Sequence, residues 1–241
     1  MTTRHSYEYN DRLFAVSKET ESSSITNNSY VTEFLYLGDL DDERTKGARQ
    51  RNQLMQLVQQ SLSLKEGGAT RLLKSKKNNY WYFNRNDSWL PVSEEFSQRG
   101  GLESRLTYSY DECGNIREIV KDNTEKTVYL WSYKNNYPVL RIEGATFSEV
   151  QNRLSSNTIK TLGACSTEAD IISQTESICR NLQNMGVLVT TYLYKPLFGI
   201  SKIIAPNGQV TSYEYDSLGR LSAIRNHDGT VKEQYIYHNK N

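Results

Sequence analysis

The feature that most limits what this chain can build is a spacing. Leu106 to Val120 contains Tyr108-Ser-Tyr110-Asp111-Glu-Cys-Gly114 and closes on Ile119; Tyr213-Glu-Tyr215-Asp216-Ser-Leu-Gly219 closes on Ile224. A third copy, Tyr192-Leu-Tyr194-Lys195-Pro-Leu-Phe-Gly199, closes on Ile203 and has Lys195-Pro196 where the others have Asp, so its turn should differ in detail. In all three, 11 residues separate the first Tyr from the closing Ile. Tyr108 to Tyr129 and Tyr192 to Tyr213 are steps of 21 residues, and Tyr213 to Tyr235 is 22. Tyr-x-Tyr alternates as a strand does. Asp closes an Asx-type turn and Gly supplies a positive φ, after which the aliphatic positions return on a second strand. A fixed period of this size with a turn in each half reads as stacked antiparallel β-hairpins.

Composition agrees. Tyr occurs 17 times against six Phe and three Trp, while mean hydropathy is −0.70. Tyr suits half-buried strand faces, because its ring packs while its hydroxyl stays wet. Lys plus Arg number 29 and Asp plus Glu 28, a net charge of +1, which gives no field toward nucleic acid. No apolar run is long enough to insert in a bilayer as a helix, and Met1 to Tyr7 lacks a signal-peptide pattern. Cys113, Cys165 and Cys179 have no CxxC or CxH spacing and are expected as free thiols, with one bridge as the upper bound.

Along the chain, residues 6 to 16 read as a strand turning at Asn10-Asp11, residues 17 to 29 as a polar loop, and Val31 to Leu37 as a second strand. Residues 53 to 66 fit either a strand or part of an amphipathic helix, any helix being confined to 41 to 52. Gly67-Gly68 then marks a hairpin, Arg71 to Phe83 and Trp89 to Phe96 are strands about a turn at Asn84 to Ser88, and Gln98 to Gly101 turns again. Thr146 with Glu149 forms a capping box for a helix, Ser155 to Thr167 reads as mostly loop, and a second helix fits Glu168 to Met185 with Gly186 closing it. The expected fold is therefore mainly β. A β-rich part, 1–104, of degenerate hairpins precedes 105–241, whose hairpins carry a two-helix insertion at about 145–186.

The Tyr-Asp-x-x-Gly elements at Tyr110 to Gly114 and Tyr215 to Gly219 resemble the YD repeats of the RHS family. Thr127 to Tyr133, Tyr137-Pro138, the helical insertion and Thr191 to Leu197 are similar to the C-terminal repeat region of RHS-like proteins from Bacteroidetes. The resemblance covers about residues 105 to 241. It implies a curved, extended or wrapped strip of hairpins in a cell-surface or secreted protein, partnered by further repeats of a longer chain or by another protein. Long members spiral into a shell around a toxic polypeptide. Here neither an Asp-Pro cleavage signature nor a toxin domain follows the repeats, so a shell role is expected only if this chain is a fragment of something longer.

For chemistry the sequence offers little. His5 and His238 lie near the ends and His227 in a turn, and Cys113, the one thiol to set beside His227 as a nucleophile pair, sits inside a repeat turn. Glu94-Glu95 and Asp41-Asp42 are adjacent pairs, which on a strand point to opposite faces rather than flanking one bond. No catalytic residue, metal or cofactor is expected. Tyr108, Tyr110, Asp111, Gly114, Tyr192, Tyr194, Gly199, Tyr213, Tyr215, Asp216 and Gly219 are expected to define the repeat structurally. The expected function is a non-catalytic structural or interaction module. The alternative is a carbohydrate-binding module that stacks glycans on Trp81, Trp89 and Trp131.

Overall fold

A computed structural model describes residues 2–23, 28–40, 43–83, 88–99 and 101–237. The chain divides into two compact units, Met1–Gly114 with Val120–Asp122, and Asn115–Ile119 with Asn123–Asn241. Within each unit the strands are antiparallel and lie side by side in chain order.

The first unit holds β1 (Thr3–Tyr9), β2 (Val16–Ser23), β3 (Ser29–Tyr36), α1 (Glu43–Gln50), β4 (Leu57–Glu66), β5 (Ala69–Phe83), β6 (Ser88–Gln98) and β7 (Leu102–Tyr110). The stretch expected as a loop, Ser17 to Ser29, is instead mostly strand β2. Its residues are too polar for a core strand, but it lies between β1 and β3 and both edges are hydrogen-bonded. Glu8 sits directly across from Lys18 and the two side chains pair, so ladder bonds and cross-strand charge hold it where burial does not. Residues 53 to 56 are not strand. Their carbonyls cap the turn after β3, Gln56 accepting from the Leu37 N–H at 2.8 Å and Leu54 from Gly38 at 3.0 Å. The core here is small: Leu37, Ala48 of α1 and Val58, with Tyr80 and Trp89 packed on them. Asp41-Asp42 and most of the turn between β5 and β6 lie outside the described residues.

Strand β8 (Ile116–Lys121) spans the division between the units. The second unit continues with β9 (Glu125–Ser132), β10 (Tyr137–Glu143), α2 (Phe147–Leu154), α3 (Ser156–Ala164), α4 (Glu168–Leu182), β11 (Leu188–Lys195), β12 (Gly199–Ile204), β13 (Val210–Tyr215), β14 (Leu221–Arg225) and β15 (Val231–Gln234). The capping box forms, with the Thr146 N–H donating to Glu149 at 2.7 Å and the Glu149 N–H to Thr146 Oγ1 at 3.3 Å. Gly186 ends the last helical turn in the left-handed region at φ +68°.

The insertion holds a third helix, α3, inside the stretch expected to be mostly loop. Its nine residues are short and rich in β-branched and small types, so propensity does not reveal it. Tertiary contacts make it. The Ser155 hydroxyl caps its start. Near its C-terminus, the Leu162 carbonyl accepts from Ser132 Oγ at 2.7 Å and that of Gly163 from the Asn135 N–H at 3.1 Å. Val128, Leu130, Val139, Leu140 and Ile142 of the sheet meet Val150, Leu154, Leu162, Ile171, Ile178 and Leu182 of the helices, all 5% exposed or less. Each such side chain contributes about 1.5–3 kcal/mol when buried, so the helices anchor this unit.

Candidate functional site

The residues that define the repeat come together as turns and as a ladder of aromatic staples. In the first copy the Gly114 N–H donates to the Asp111 carbonyl at 3.1 Å and the Cys113 N–H to Asp111 Oδ1 at 2.8 Å. Asp216 does the same with Gly219 and Leu218, at 3.0 and 2.9 Å, and in addition accepts from both the backbone and the guanidinium of Arg220. Those Arg220 bonds hold the Asp216 carboxyl below its usual range. It is a structural anion, not a proton carrier. In the third copy Phe198 donates to the Lys195 carbonyl at 3.0 Å. The positive φ falls one residue earlier than in its sisters, on Leu197 at +73° behind Pro196, which is the geometry of a type II turn.

The ladder uses the second aromatic of an aromatic-x-aromatic pair in every case except Tyr80, which follows Asn78-Asn79. The Tyr36, Tyr80 and Tyr110 hydroxyls donate to the carbonyls of Val16, Leu57 and Pro91 in the first unit. In the second unit Tyr194, Tyr215 and Tyr237 donate to Pro138, Ile200 and Leu221 at 3.0, 2.8 and 2.8 Å, and Trp131 Nε1 takes the same position on Ile116 at 2.8 Å. The acceptors share a position. Val16, Leu57, Pro91, Pro138, Ile200 and Leu221 each stand opposite an aromatic on the first strand of their own hairpin, Tyr9, Tyr36, Tyr80, Trp131, Tyr194 and Tyr215, next to a register shift. A bulge interrupts the ladder of hydrogen bonds, and the aromatic of the following hairpin donates to the carbonyl beside it. Gly199 is required by this contact as well as by its backbone, because a Cβ there would lie 2.5 Å from the Tyr215 hydroxyl.

Burial first, then neighbouring tyrosines and Glu94, push Tyr110 up to about 12; burial and Glu94 do the same to Tyr108, and burial and the tyrosines around it to Tyr194. These hydroxyls therefore stay protonated donors. Tyr133, Tyr137 and Tyr194 pack as a triad with ring centres 4.7 to 6.0 Å apart.

The three tryptophans have different local surroundings. Trp81 is 65% exposed on β5, and Trp89 is packed on the small core of the same unit, its ring 5.8 Å from Tyr82. Trp131 belongs to the second unit and to the ladder. Glu94 pairs with Lys76 at 2.9 Å whereas Glu95 meets Arg105 at 3.9 Å, the two carboxylates being on opposite faces of β6. His5 contacts Glu19 at 3.2 Å, His227 accepts from the Val210 N–H at 3.3 Å, and His238 lies outside the described residues. Cys113 and His227 belong to different units. All three cysteines are free thiols, and burial raises Cys165 and Cys179. Among the described residues no three His, Cys, Asp or Glu side chains gather to hold a metal, and no helix is long and apolar enough to cross a membrane.

The ladder's regularity went unread in the sequence because its acceptors are carbonyls. A workable signal was present: an aromatic 15 or 16 residues after the first aliphatic residue of the preceding return strand, as at Trp131, Tyr215 and Tyr237.

Solved structures with some likeness include TcdB2-TccC3-Cdc42, at 11% identity and a TM-score of 0.35 over 95% of this chain and 12% of that one. The Photorhabdus luminescens Tc holotoxin pore is 12% identical, with a TM-score of 0.33 over the same shares. A porin-like protein from Bacteroides uniformis is 12% identical, with a TM-score of 0.27 over 92% of this chain and 87% of that one. The chain thus spans about 12% of the length of the first of these. No curated protein matches it. A family model described as the RHS repeat matches residues 200–231, from β12 through the turn of Asp216 and Gly219 into β15. That match covers the hairpin in which Tyr215, Asp216 and Gly219 make the turn and the ladder bond, so residues 200–231 of the chain carry an RHS repeat.

Proposed function

We propose that the chain is a non-catalytic structural and interaction module of a cell-surface or secreted RHS-like protein. One observation carries this reading. The residues that recur with the repeat are occupied by backbone hydrogen bonding: Tyr110, Trp131, Tyr194, Tyr215 and Tyr237 each tie one hairpin to the one before, and Asp216 and Gly219 close a turn. The same donor geometry at Tyr36, Tyr80 and Tyr110 supports reading residues 1–104 as degenerate hairpins of the same kind. Such a strip is suited to present surface to further repeats or to another protein. The test is location. Protease applied to intact source cells should release peptides of this chain, or the chain should appear in the culture fluid; confinement to the cytosol overturns the reading.

Glycan binding is a second reading, favoured by one observation: Trp81 presents most of its ring to solvent. A glycan array on which the chain binds and its Trp81→Ala variant does not would establish it. Equal signals from both would exclude Trp81 as the platform.

A further inference from the structure

We infer that one face of β4, β5 and β6 binds an acidic glycan, a chain of sugars bearing carboxylate or sulfate groups, along a row of cations on β5. The row starts as a basic stretch of sequence, Arg71-Leu-Leu-Lys74-Ser-Lys76-Lys77, and strand pairing sorts it. Leu64, Leu62 and Gln60 alternate along β4 and so share a face, and Arg71, Lys74 and Lys76 stand directly opposite them. The register shift between Leu62 and Ser63 makes this possible. It leaves Leu73 as the extra residue of a bulge, without which Arg71 would take the other face. On the far side Lys74 and Lys76 stand opposite Gln98 and Phe96 of β6, while Lys77 points to the opposite face. Lys76 is paired with Glu94 at 2.9 Å. Arg71 and Lys74 are exposed and, among the described residues, meet no carboxylate. Glu66, the next residue of β4 on this face after Leu64, accepts from the Asn28 side chain at 3.1 Å. Two cations thus stand without a mate, opposite residues roughly 7 Å apart along β4.

Beside Lys74 the face sinks into a recess of about 220 Å³, lined in part by Gln60, Leu62, Lys74, Lys76, Phe96 and Gln98. A pocket that encloses a whole small ligand has roughly 300–1,000 Å³, so this one takes a single ring and the rest of the ligand runs along the strand. Its lining suits a sugar. The two Gln amides both donate and accept, as sugar hydroxyls do, and Leu62 and Phe96 supply apolar contact for the C–H groups of the ring. The unmated cations select an anion, and Arg71 adds a planar fork that holds two oxygens at once. A nucleic-acid strand fits less well. Its binders stack successive bases on several aromatic rings, whereas the recess has one, with the Lys76 ammonium 5.4 Å from its centre. Trp81, five residues beyond Lys76 with no extra residue on β5 between them, lies on the opposite face, so this site is separate from a platform on Trp81.

The test is calorimetric titration of the 241-residue chain with an oligogalacturonate, which carries carboxylates, a heparin oligosaccharide, which also carries sulfates, a neutral malto-oligosaccharide and an oligothymidylate. An acidic sugar should bind, with an affinity that falls as salt rises, and the tighter of the two identifies the anionic group. Arg71→Glu and Lys74→Glu, each alone, should weaken binding about tenfold, and Phe96→Ala should weaken it without changing its salt dependence. Lys77→Glu makes the same change of net charge on the opposite face, and Trp81→Ala removes the exposed indole; each should leave the affinity within about twofold. Circular dichroism checks that the variants keep their strands. No binding of either acidic sugar at low salt overturns the proposal, as does equal binding of the neutral sugar or the oligothymidylate. So does a loss on Lys77→Glu or Trp81→Ala as large as that on Lys74→Glu.

Discussion

Tyr133 and Tyr194, 61 residues apart, are joined twice: the Tyr133 hydroxyl donates to the Tyr194 carbonyl at 3.0 Å and accepts from the Tyr194 N–H at 2.9 Å. Tyr133 is 6% exposed, and the whole helical insertion lies between the two residues. Tyr133→Phe keeps the ring and leaves both backbone groups of Tyr194 without their partner. It should cost about 1–3 kcal/mol of stability in urea unfolding. Tyr237→Phe, at an exposed staple, should cost less; equal costs would mean that burial of the staple is immaterial.

The turns offer a matched pair of substitutions. Gly219 has φ of +78°, and a Cβ on it would stand 3.1 Å from the Phe198 ring, so Gly219→Val should destabilise by about 2 kcal/mol or more. Leu197 holds a positive φ in the sister turn while 97% exposed. Leu197→Gly gives up no burial and should stabilise by roughly 0.5–1 kcal/mol. A folded Gly219→Val chain of normal melting temperature would refute the turn assignment.

At high pH three half-buried tyrosines, two of them staples, should lose their hold together. Tyr108, Tyr110 and Tyr194 are raised to about 12, above the value near 10 of an unfolded tyrosine. The unfolded chain therefore loses these protons first, and their contribution is intact below about pH 10 and lost as pH climbs toward about 12. Unfolding midpoints measured from pH 9 to 12 should fall in step with tyrosinate absorbance. A flat profile would show that these hydroxyls ionise without disturbing the strands.

At low pH the prediction concerns Asp216, whose carboxyl the backbone and side chain of Arg220 hold below its usual range. A depressed group contributes above its unfolded value of about 3.9 and ceases to as pH falls through its folded value. An NMR titration should place Asp216 below the ordinary aspartate value of about 3.9, and Asp216→Asn should make the acid side of the stability profile less steep. An Asp216 that titrates normally would mean that the Arg220 bonds are not kept in solution.

Much of this architecture was legible in the chain itself. The steps between tyrosines, the Asp-x-x-Gly turns, the Gly67-Gly68 hairpin and the Thr146 capping box all rest on local chemistry that sequence displays. What was hidden depends on partners far along the chain. Strand β2 is polar on both faces and exists because two neighbours bond it, and α3 is fixed by Ser132 and Asn135 of a distant turn. The staples were half visible: their tyrosines stood out, while the carbonyls they seek belong to Val, Leu, Pro or Ile alike. Trp131 shows why counting tyrosines misses one of them, since an indole N–H serves as well as a phenol.

The Tyr194 to Pro138 staple is of the same kind as the one from Tyr215 to Ile200, yet its partners are 56 residues apart instead of 15. The joint is therefore indifferent to what is spliced between acceptor and donor, provided the inserted segment returns its ends to the same place, and the entropy of closing a longer loop grows only slowly with length. Each hairpin carries a carbonyl for its successor and an aromatic for its predecessor. A gene of this kind can gain, lose or interrupt whole periods by duplication and recombination, and every new seam arrives with its own fastening.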